Sequence, residues 1–342
     1  MKIKKILNNQ IIKISFPKLN SPIDKKLFIK ELKRKTYDSY KYYLNNIIVD
    51  QNGNPQVKNY VILSDFLKFK SLSRFIILKK ILLLLKFKLN LKKYRGANFL
   101  KDGIIVHDRH SHNYYHWITD VLPKIIWLIE NKELGKYKII LPYFKTSFQY
   151  KTLKDLSRNF YQQKKNHDLK VEKIKYISSF HVSGAPRINY LEKTKKFFLR
   201  KINIKDNNTK IYISRKKAGK RFLLNENDLI RELKLHKFKI IYMEDLDFYQ
   251  QVEISANSKI MISCHGAGLT NLIWMKRNSN VIEIRGQGDT TINAYYALSK
   301  RMGINYNYYS AKTNRYSLFS SNFNYEIDIN NFMNKFINLI KC

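Results

Sequence analysis

Apolar and polar positions alternate in blocks along the second half of the chain. Short apolar runs stand at KIYIS (210–214), KIIYME (239–244), KIMISC (259–264), NVIEIR (280–285) and INYNYY (304–309). Between them lie stretches of helical period, at 225–236, Asp247 to Asn257 and 291–302. Strands that alternate with helices call for a parallel sheet covered by helices, so the pattern predicts an α/β fold. The first half is less regular. GIIVHD (103–108), KIILPY (138–143) and KIKYISSFHVSG (173–184) read as strands. Helices are expected from Ser111 or His112 to Glu130, bent at Pro123, and from Lys151 to His167. Residues 1–95 carry short strands and a turn at QNGNP (51–55). The polar, charged stretch 191–209 reads as a linker. The layout expected is an N-terminal domain over 1–190, the linker, a C-terminal domain over 210–310, and a loop and helix over 311–342 able to pack back on the N-terminal domain.

Length agrees with that layout, because 342 residues suit two domains of about 150 each. The abundance of Lys, Asn, Ile, Tyr and Phe matches an AT-rich coding sequence. The charge does not follow from that bias. Lys and Arg number 65 against 26 acidic residues, a net +39, and such an excess predicts an anionic partner. Nucleic acid, an anionic membrane surface and phosphorylated substrates all qualify. The basic residues are spread along the whole chain without a finger or RNP-like motif, which argues against nucleic acid. FIILKKILLLLKFKL (75–89) is too interrupted by lysines to span a bilayer. It reads as a basic amphipathic helix, either lying on anionic lipid or packed in a core with its lysines reaching outward. With Cys264 and Cys342 alone, no disulfide framework is expected and a reducing cytosol fits. The N-terminus is basic but its apolar runs are too short for a signal peptide. The expected location is cytoplasmic, on the inner face of the membrane.

Candidate chemistry falls in three places. ISCHGAGLTNL (262–272) is a strand end that opens into a helix through His265, Gly266, Ala267 and Gly268. Glycines let a ligand approach the backbone, and exposed amides at a helix start favour phosphate. The alternative is a tight turn without a ligand. HDRHSHNYYHWITDVLPKI (107–125) places Asn113, His116 and Asp120 on one helix face, where a histidine and a carboxylate can share proton-transfer work. His107, His110, His112 and His116 crowd this stretch, but their spacing matches no standard zinc pattern. YISRKKAGKRFLLNEND (212–228) carries Arg215 and Arg221 around a flexible loop, and their guanidinium forks suit diphosphate oxygens. Asn225 is placed to cap the following helix, with Asp228 in the capping-box position. In EDLDF (244–248) Asp245 and Asp247 form a D-x-D pair; Asp247 precedes a helix and reads as its cap rather than a metal ligand.

Together these segments resemble glycosyltransferase family 61, found among capsule and lipopolysaccharide biosynthesis proteins. Asn113, His116, Trp117, Asp120 and Pro123 fit its N-terminal motif, and Ser214, Arg215, Arg221, Asn225 and Glu226 its central one. Gln251 fits a helix glutamine, with Gln250 beside it leaving two registers open. His265, Gly266, Ala267, Gly268, Leu269, Thr270 and Asn271 match the third motif, and Glu283 a strand glutamate. The resemblance covers 103–286. It implies a GT-B-like architecture of two Rossmann-like domains facing across a cleft, inversion at the sugar carbon, no cofactor and no metal. The donor, most simply a UDP-sugar, would meet Arg215, Arg221, Asn225, Glu226, Gln251, residues 266–271 and, through its ribose, Glu283. Asp120 held by Asn113 and His116 would be the base, with His265 second. The acceptor would be a growing surface polysaccharide or glycolipid. A non-catalytic basic nucleic-acid- or glycan-binding protein is the alternative.

Overall fold

The computed structural model describes residues 2–20, 22–50, 53, 55–57, 60–61, 98–108, 110–143, 147–180, 184–205, 208–287, 293–313 and 324–341. The basic segment 75–89 and Cys342 lie outside the described residues. The chain forms two compact units, one of residues 1–9 and 37–180, the other of 10–36 and 181–342. It opens with β1 (Lys2–Leu7) in the first unit. It then gives β2 (Ile11–Lys13), the one-turn helix α1 (Lys25–Phe28) and β3 (Lys33–Lys35) to the second unit. The long strand β4 (Ser39–Val49) returns to the first.

The first unit is built on a mixed sheet. Beyond β4 come β5 (Pro55–Val57), β6 (Tyr60–Val61), β7 (Asn98–Ile105), β8 (Lys138–Leu141), β9 (Phe160–Gln162) and β10 (Leu169–Ile177), in the order β6-β5-β4-β10-β7-β8-β9, with β1 also on β4. β10, β7, β8 and β9 run parallel, and β4 is antiparallel to β10. Leu44, Ile47 and Val49 of β4 join Val171 and Ile174 of β10 in its core. The helical stretch after β7 has three parts: α2 (Tyr114–His116), a π-turn (Trp117–Val121) and α3 (Leu122–Glu130). Pro123 has no N–H to give to the previous turn, and the widened π-turn directly before it absorbs the missing bond. The expected helix 151–167 is shorter and earlier, α4 (Phe148–Leu156), and the chain then turns into β9.

The second unit follows the predicted alternation closely. α5 (Ile188–Leu199) is followed by β11 (Thr209–Ile213), α6 (Glu226–Leu235), β12 (Phe238–Ile241), α7 (Phe248–Ala256) and β13 (Ser258–Cys264). A 3-10 helix (Ala267–Trp274) leads to β14 (Asn280–Gly286), α8 (Ala294–Met302), β15 (Asn305–Thr313), β16 (Tyr325–Glu326) and α9 (Ile329–Lys341). The sheet order is β12-β11-β13-β14-β15-β16, parallel except for the last pair. Two expectations are corrected. The polar stretch at 191–209 begins inside α5, because Leu191, Thr194 and Phe198 recur at helical spacing and are buried. The C-terminal helix completes the second unit's own core: Phe332, Met333, Phe336 and Ile340 pack with Leu229, Leu233 and Tyr309.

Candidate active site

In an open parallel sheet, ligands bind beyond the carboxyl ends of strands where the strand order reverses. In the order β12-β11-β13 that place lies between the ends of β11 and β13. β11 runs into Ser214 and Arg215, and β13 into His265 and Gly266. The two loops touch there. A methyl group placed on Gly266 would sit 1.6 Å from an Nη of Arg215, so the guanidinium occupies the space that any larger residue at 266 would need. The backbone of Gly266 is extended (φ 169°), and close approach rather than unusual φ explains the glycine.

Arg215 is held in place by its own loop. Its Nε donates to the Arg221 carbonyl at 3.2 Å and its Nη2 to the Lys220 carbonyl at 3.1 Å. Arg221 takes a left-handed backbone conformation (φ 57°), sparsely populated for a bulky side chain. Its own Nε is buried without a hydrogen-bond partner. Burial and the neighbouring Arg221 charge together lower the pKa of Arg215. Among the described residues neither arginine has a carboxylate partner. Two like charges held together without a counter-charge make a site for an anion. The first amides of the 3-10 helix have no carbonyl of their own helix to bond and stand at the same place.

The turn is open over a shorter stretch than the sequence implied. Ala267 and Gly268 are half-buried and reachable, whereas Gly266 is covered and Leu269, Thr270 and Asn271 have no exposure. Asn271 spends its amide on the protein: Nδ2 donates to the Gly268 carbonyl (3.1 Å) and to Gln251 Oε1 (3.3 Å), and Oδ1 accepts from Trp274 Nε1 (3.0 Å). Gln251 Nε2 in turn donates to the carbonyls of Met243 and Leu246. Of the two glutamines, Gln250 is the one that forms a capping box with Asp247 (3.0 and 2.8 Å). Asp247 is thus a helix cap, and Asp245 pairs with Lys217.

Direct donor contact does not fit Asn225, Glu226 or Glu283. Asn225 occupies the N-cap position of α6 without capping it; its amide clasps Ile327, donating to the carbonyl (2.7 Å) and accepting from the N–H (3.3 Å). Glu226 is buried, and accepts from the Tyr212 hydroxyl (2.7 Å) and the Ser214 hydroxyl (3.0 Å). It secures the end of β11 from which Arg215 leaves. Glu283 is completely buried. One of its oxygens bonds Nδ1 of His265 and the other accepts from the Tyr306 hydroxyl at 2.5 Å. Burial raises its pKa, but the His265 ring, Arg285 and the Tyr306 hydroxyl outweigh that and hold the carboxyl below its ordinary value. With Nδ1 engaged, His265 has Nε2 left for other chemistry. The Tyr295 ring lies 5.0 Å from the His265 ring.

In the first unit, Asp120 sits on the π-turn and is buried. Its Oδ2 pairs with Lys124 Nζ at 2.6 Å, and its Oδ1 accepts from the Phe180 N–H (2.7 Å) and the Ser179 hydroxyl (3.1 Å). The carboxylate is thus enclosed by a lysine, a backbone N–H and a hydroxyl. Asn113 is exposed and caps α2 through the Tyr115 N–H (2.9 Å), and His116 stacks on His110 at 5.2 Å. Asp108, which the sequence reading passed over, is only partly covered and follows β7. Burial and Asp120 push its carboxyl up, but Lys124, the His110 N–H and the Ser111 hydroxyl bring it net below its ordinary range. His107 is buried with Nε2 against the Gly53 carbonyl (2.7 Å), and burial pushes it down to about 4. Among the described residues no group of three His, Cys, Asp or Glu could hold a metal ion. Among them, too, no helix is long and apolar enough to cross a membrane.

The second unit is therefore an open parallel α/β domain with an anion-ready turn at its switch point. The sequence profile of Glycosyltransferase 61 matches residues 114–282, which span the π-turn, both arginines and the glycine turn. That segment belongs to glycosyltransferase family 61. The chain is also similar to the EGF domain-specific O-linked N-acetylglucosamine transferases of Gallus gallus (29% identical over 135 residues) and Bos taurus (27% over 135 residues), each match covering 36% of this chain and 25% of the relative. The Drosophila melanogaster protein of that name is 33% identical over 98 residues, 28% of this chain and 18% of the relative. The matched stretch spans a quarter or less of the length of these relatives.

Proposed function

We propose that this protein is an inverting glycosyltransferase that moves a sugar from a nucleotide-sugar, most simply a UDP-sugar, to a surface polysaccharide or glycolipid. The observation that carries this is the contact between Arg215 and Gly266 at the switch point, with Arg221 behind it and no carboxylate partner among the described residues. Family membership and the transferase names of the relatives support the same reading. The leaving diphosphate lies on the amides at Ala267 and Gly268 and on the two guanidinium groups. Fixed cations and dipoles then stabilise the developing charge without a metal.

His265 is the group best suited to take the acceptor hydroxyl's proton. Its Nδ1 is committed to a buried carboxylate, which leaves Nε2 as acceptor and stabilises the imidazolium that forms. As the acceptor oxygen attacks the anomeric carbon, its proton passes to Nε2 and the sugar–phosphate bond breaks toward the arginines. The first unit serves as the acceptor half of a GT-B-like enzyme. The protein works in the cytoplasm, and the basic segment 75–89 keeps it on the inner membrane face.

The test is to incubate the purified protein with a panel of nucleotide-sugars and follow binding and nucleoside diphosphate release, with and without chelator. One donor should bind and turn over in both conditions, and Arg215→Ala with Arg221→Ala should abolish its binding. Tight, salt-sensitive oligonucleotide binding with no nucleotide-sugar bound at millimolar concentration would favour the non-catalytic reading.

A further inference from the structure

The second unit has a cavity of about 560 Å³ whose lining comes from segments that lead into β11, β13, β14 and β15. In a parallel sheet these all lie at the amino edge, the opposite end from the Gly266 turn. β13 alone, seven residues long, separates the two ends by roughly 23 Å at about 3.3 Å per residue. The cavity is therefore a second place. Its size falls in the range of about 300–1,000 Å³ typical of small-ligand sites.

Its lining divides into two kinds of surface. Leu199, Trp274 and Met302 give an apolar part, while Lys195, Lys205, Lys276 and Arg277 gather around it against one carboxylate among the described lining residues, Glu192. Glu192 does little to cancel them. It lies 3.8 Å from Arg277 with both groups largely in water, where such a pair is weak. Lys195 reaches inward and donates to the Met275 carbonyl at 2.5 Å. A greasy chamber with a cationic surround is complementary to a molecule that is apolar at one end and anionic at the other.

The geometry points to a binding site for a phosphorylated amphiphile at the amino edge of this sheet, with the alkyl part against Trp274 and Met302 and the phosphate among Lys195, Lys276 and Arg277. Nothing in the transferase chemistry uses this cavity. Burial, opposed by Glu192 and reinforced by Arg277, lowers the Lys195 amine to about 8. Lys195 is therefore charged below that pH and neutral above it. Lys205, Lys276 and Arg277 line the same cavity, so the loss of the Lys195 charge should weaken binding of an anionic ligand several-fold at pH 9.5 relative to pH 7 without abolishing it.

The experiment titrates the full chain with dodecyl phosphate below its micelle concentration, and with dodecanol and inorganic phosphate, by calorimetry and tryptophan fluorescence. Dodecyl phosphate should bind saturably, at least ten-fold tighter than either part alone. Arg277→Gln with Lys276→Gln should weaken it ten-fold or more. Ile204→Trp, a bulky residue at an exposed lining position, should block it. These variants sit away from the Gly266 turn and should bind nucleotide as the wild type does. Dodecanol or inorganic phosphate binding equally well, or dodecyl phosphate binding unchanged in all variants, would overturn the assignment. Nucleotide binding is read separately, so its failure would leave this result standing.

Discussion

Gly266→Ala isolates the contact on which the donor site is built. The new methyl would fall 1.6 Å from Arg215 Nη1 and 2.3 Å from its Cζ, so the guanidinium must move away. What yields is the far end of a flexible side chain, and the glycine's own φ of 169° suits any residue. The fold should survive, with a melting temperature within about 3 °C of wild type. The ligand site should not. A charge-assisted hydrogen bond is worth about 1.5–3 kcal/mol, and a displaced fork forfeits one or two of them. A loss of about 3 kcal/mol weakens binding roughly 100-fold. Calorimetric titration with nucleoside diphosphate should show that loss in Gly266→Ala and a similar one in Arg215→Ala. In the double variant the second change should add little, a coupling of about 2–3 kcal/mol. Binding within two-fold of wild type in Gly266→Ala, or fully additive losses, would refute the reasoning.

Three further outcomes follow from the same geometry. Glu283→Gln should cut transfer by about 100-fold or more while diphosphate binding stays within a few-fold, read by single-turnover rates beside calorimetry. Because the Glu283 carboxyl is held below its ordinary 4.5, its stabilisation is complete above that pH and is lost as pH falls through the lower folded value; the variant should lack that part of the acid-unfolding slope. Asn225→Ala removes both bonds to the Ile327 backbone and should cost about 1–3 kcal/mol in denaturant unfolding without changing nucleotide affinity. Asp247→Ala removes a helix cap and should cost about 1 kcal/mol, with transfer equally insensitive to chelator before and after the change; loss of transfer on chelation would make the aspartate pair a metal site.

Fold and site were unequally legible. The second unit could be read from its strands and helices because each strand is a short apolar run and each helix shows its period. α5 was misread because only one face of it is apolar, and the lysines on the other face look like linker when counted by composition. The first unit was harder. Its sheet depends on β4, a strand whose partners β10 and β5 are distant or short, and long-range pairing leaves little local signal. The three motifs do not by themselves say what each residue inside them does. Composition cannot tell an asparagine that meets a ligand from one that clasps Ile327, since both need the same amide. Asp108 had a signal of its own: it directly follows the apolar run GIIVH, at the carboxyl end of a parallel strand, where ligands collect.

The polar residues around the turn therefore separate by their hydrogen bonds into holders and groups left for a ligand, and the separation has a chemical purpose. Glu226 secures the end of β11, Asn271 and Gln251 brace the 3-10 helix, and Glu283 orients His265. Each satisfies its hydrogen bonds inside the protein. Arg215 and Arg221, which have no carboxylate partner among the described residues, and the amides near Ala267 and Gly268 are left over for an anion. A site pre-organised in this way has little left to reorganise when an anion arrives or when charge develops during a reaction. The unpartnered Nε of Arg221 and its left-handed backbone are the cost of that readiness. A loop selected for stability alone would place a carboxylate beside two arginines, and in a chain with 26 acidic residues none among those described stands there.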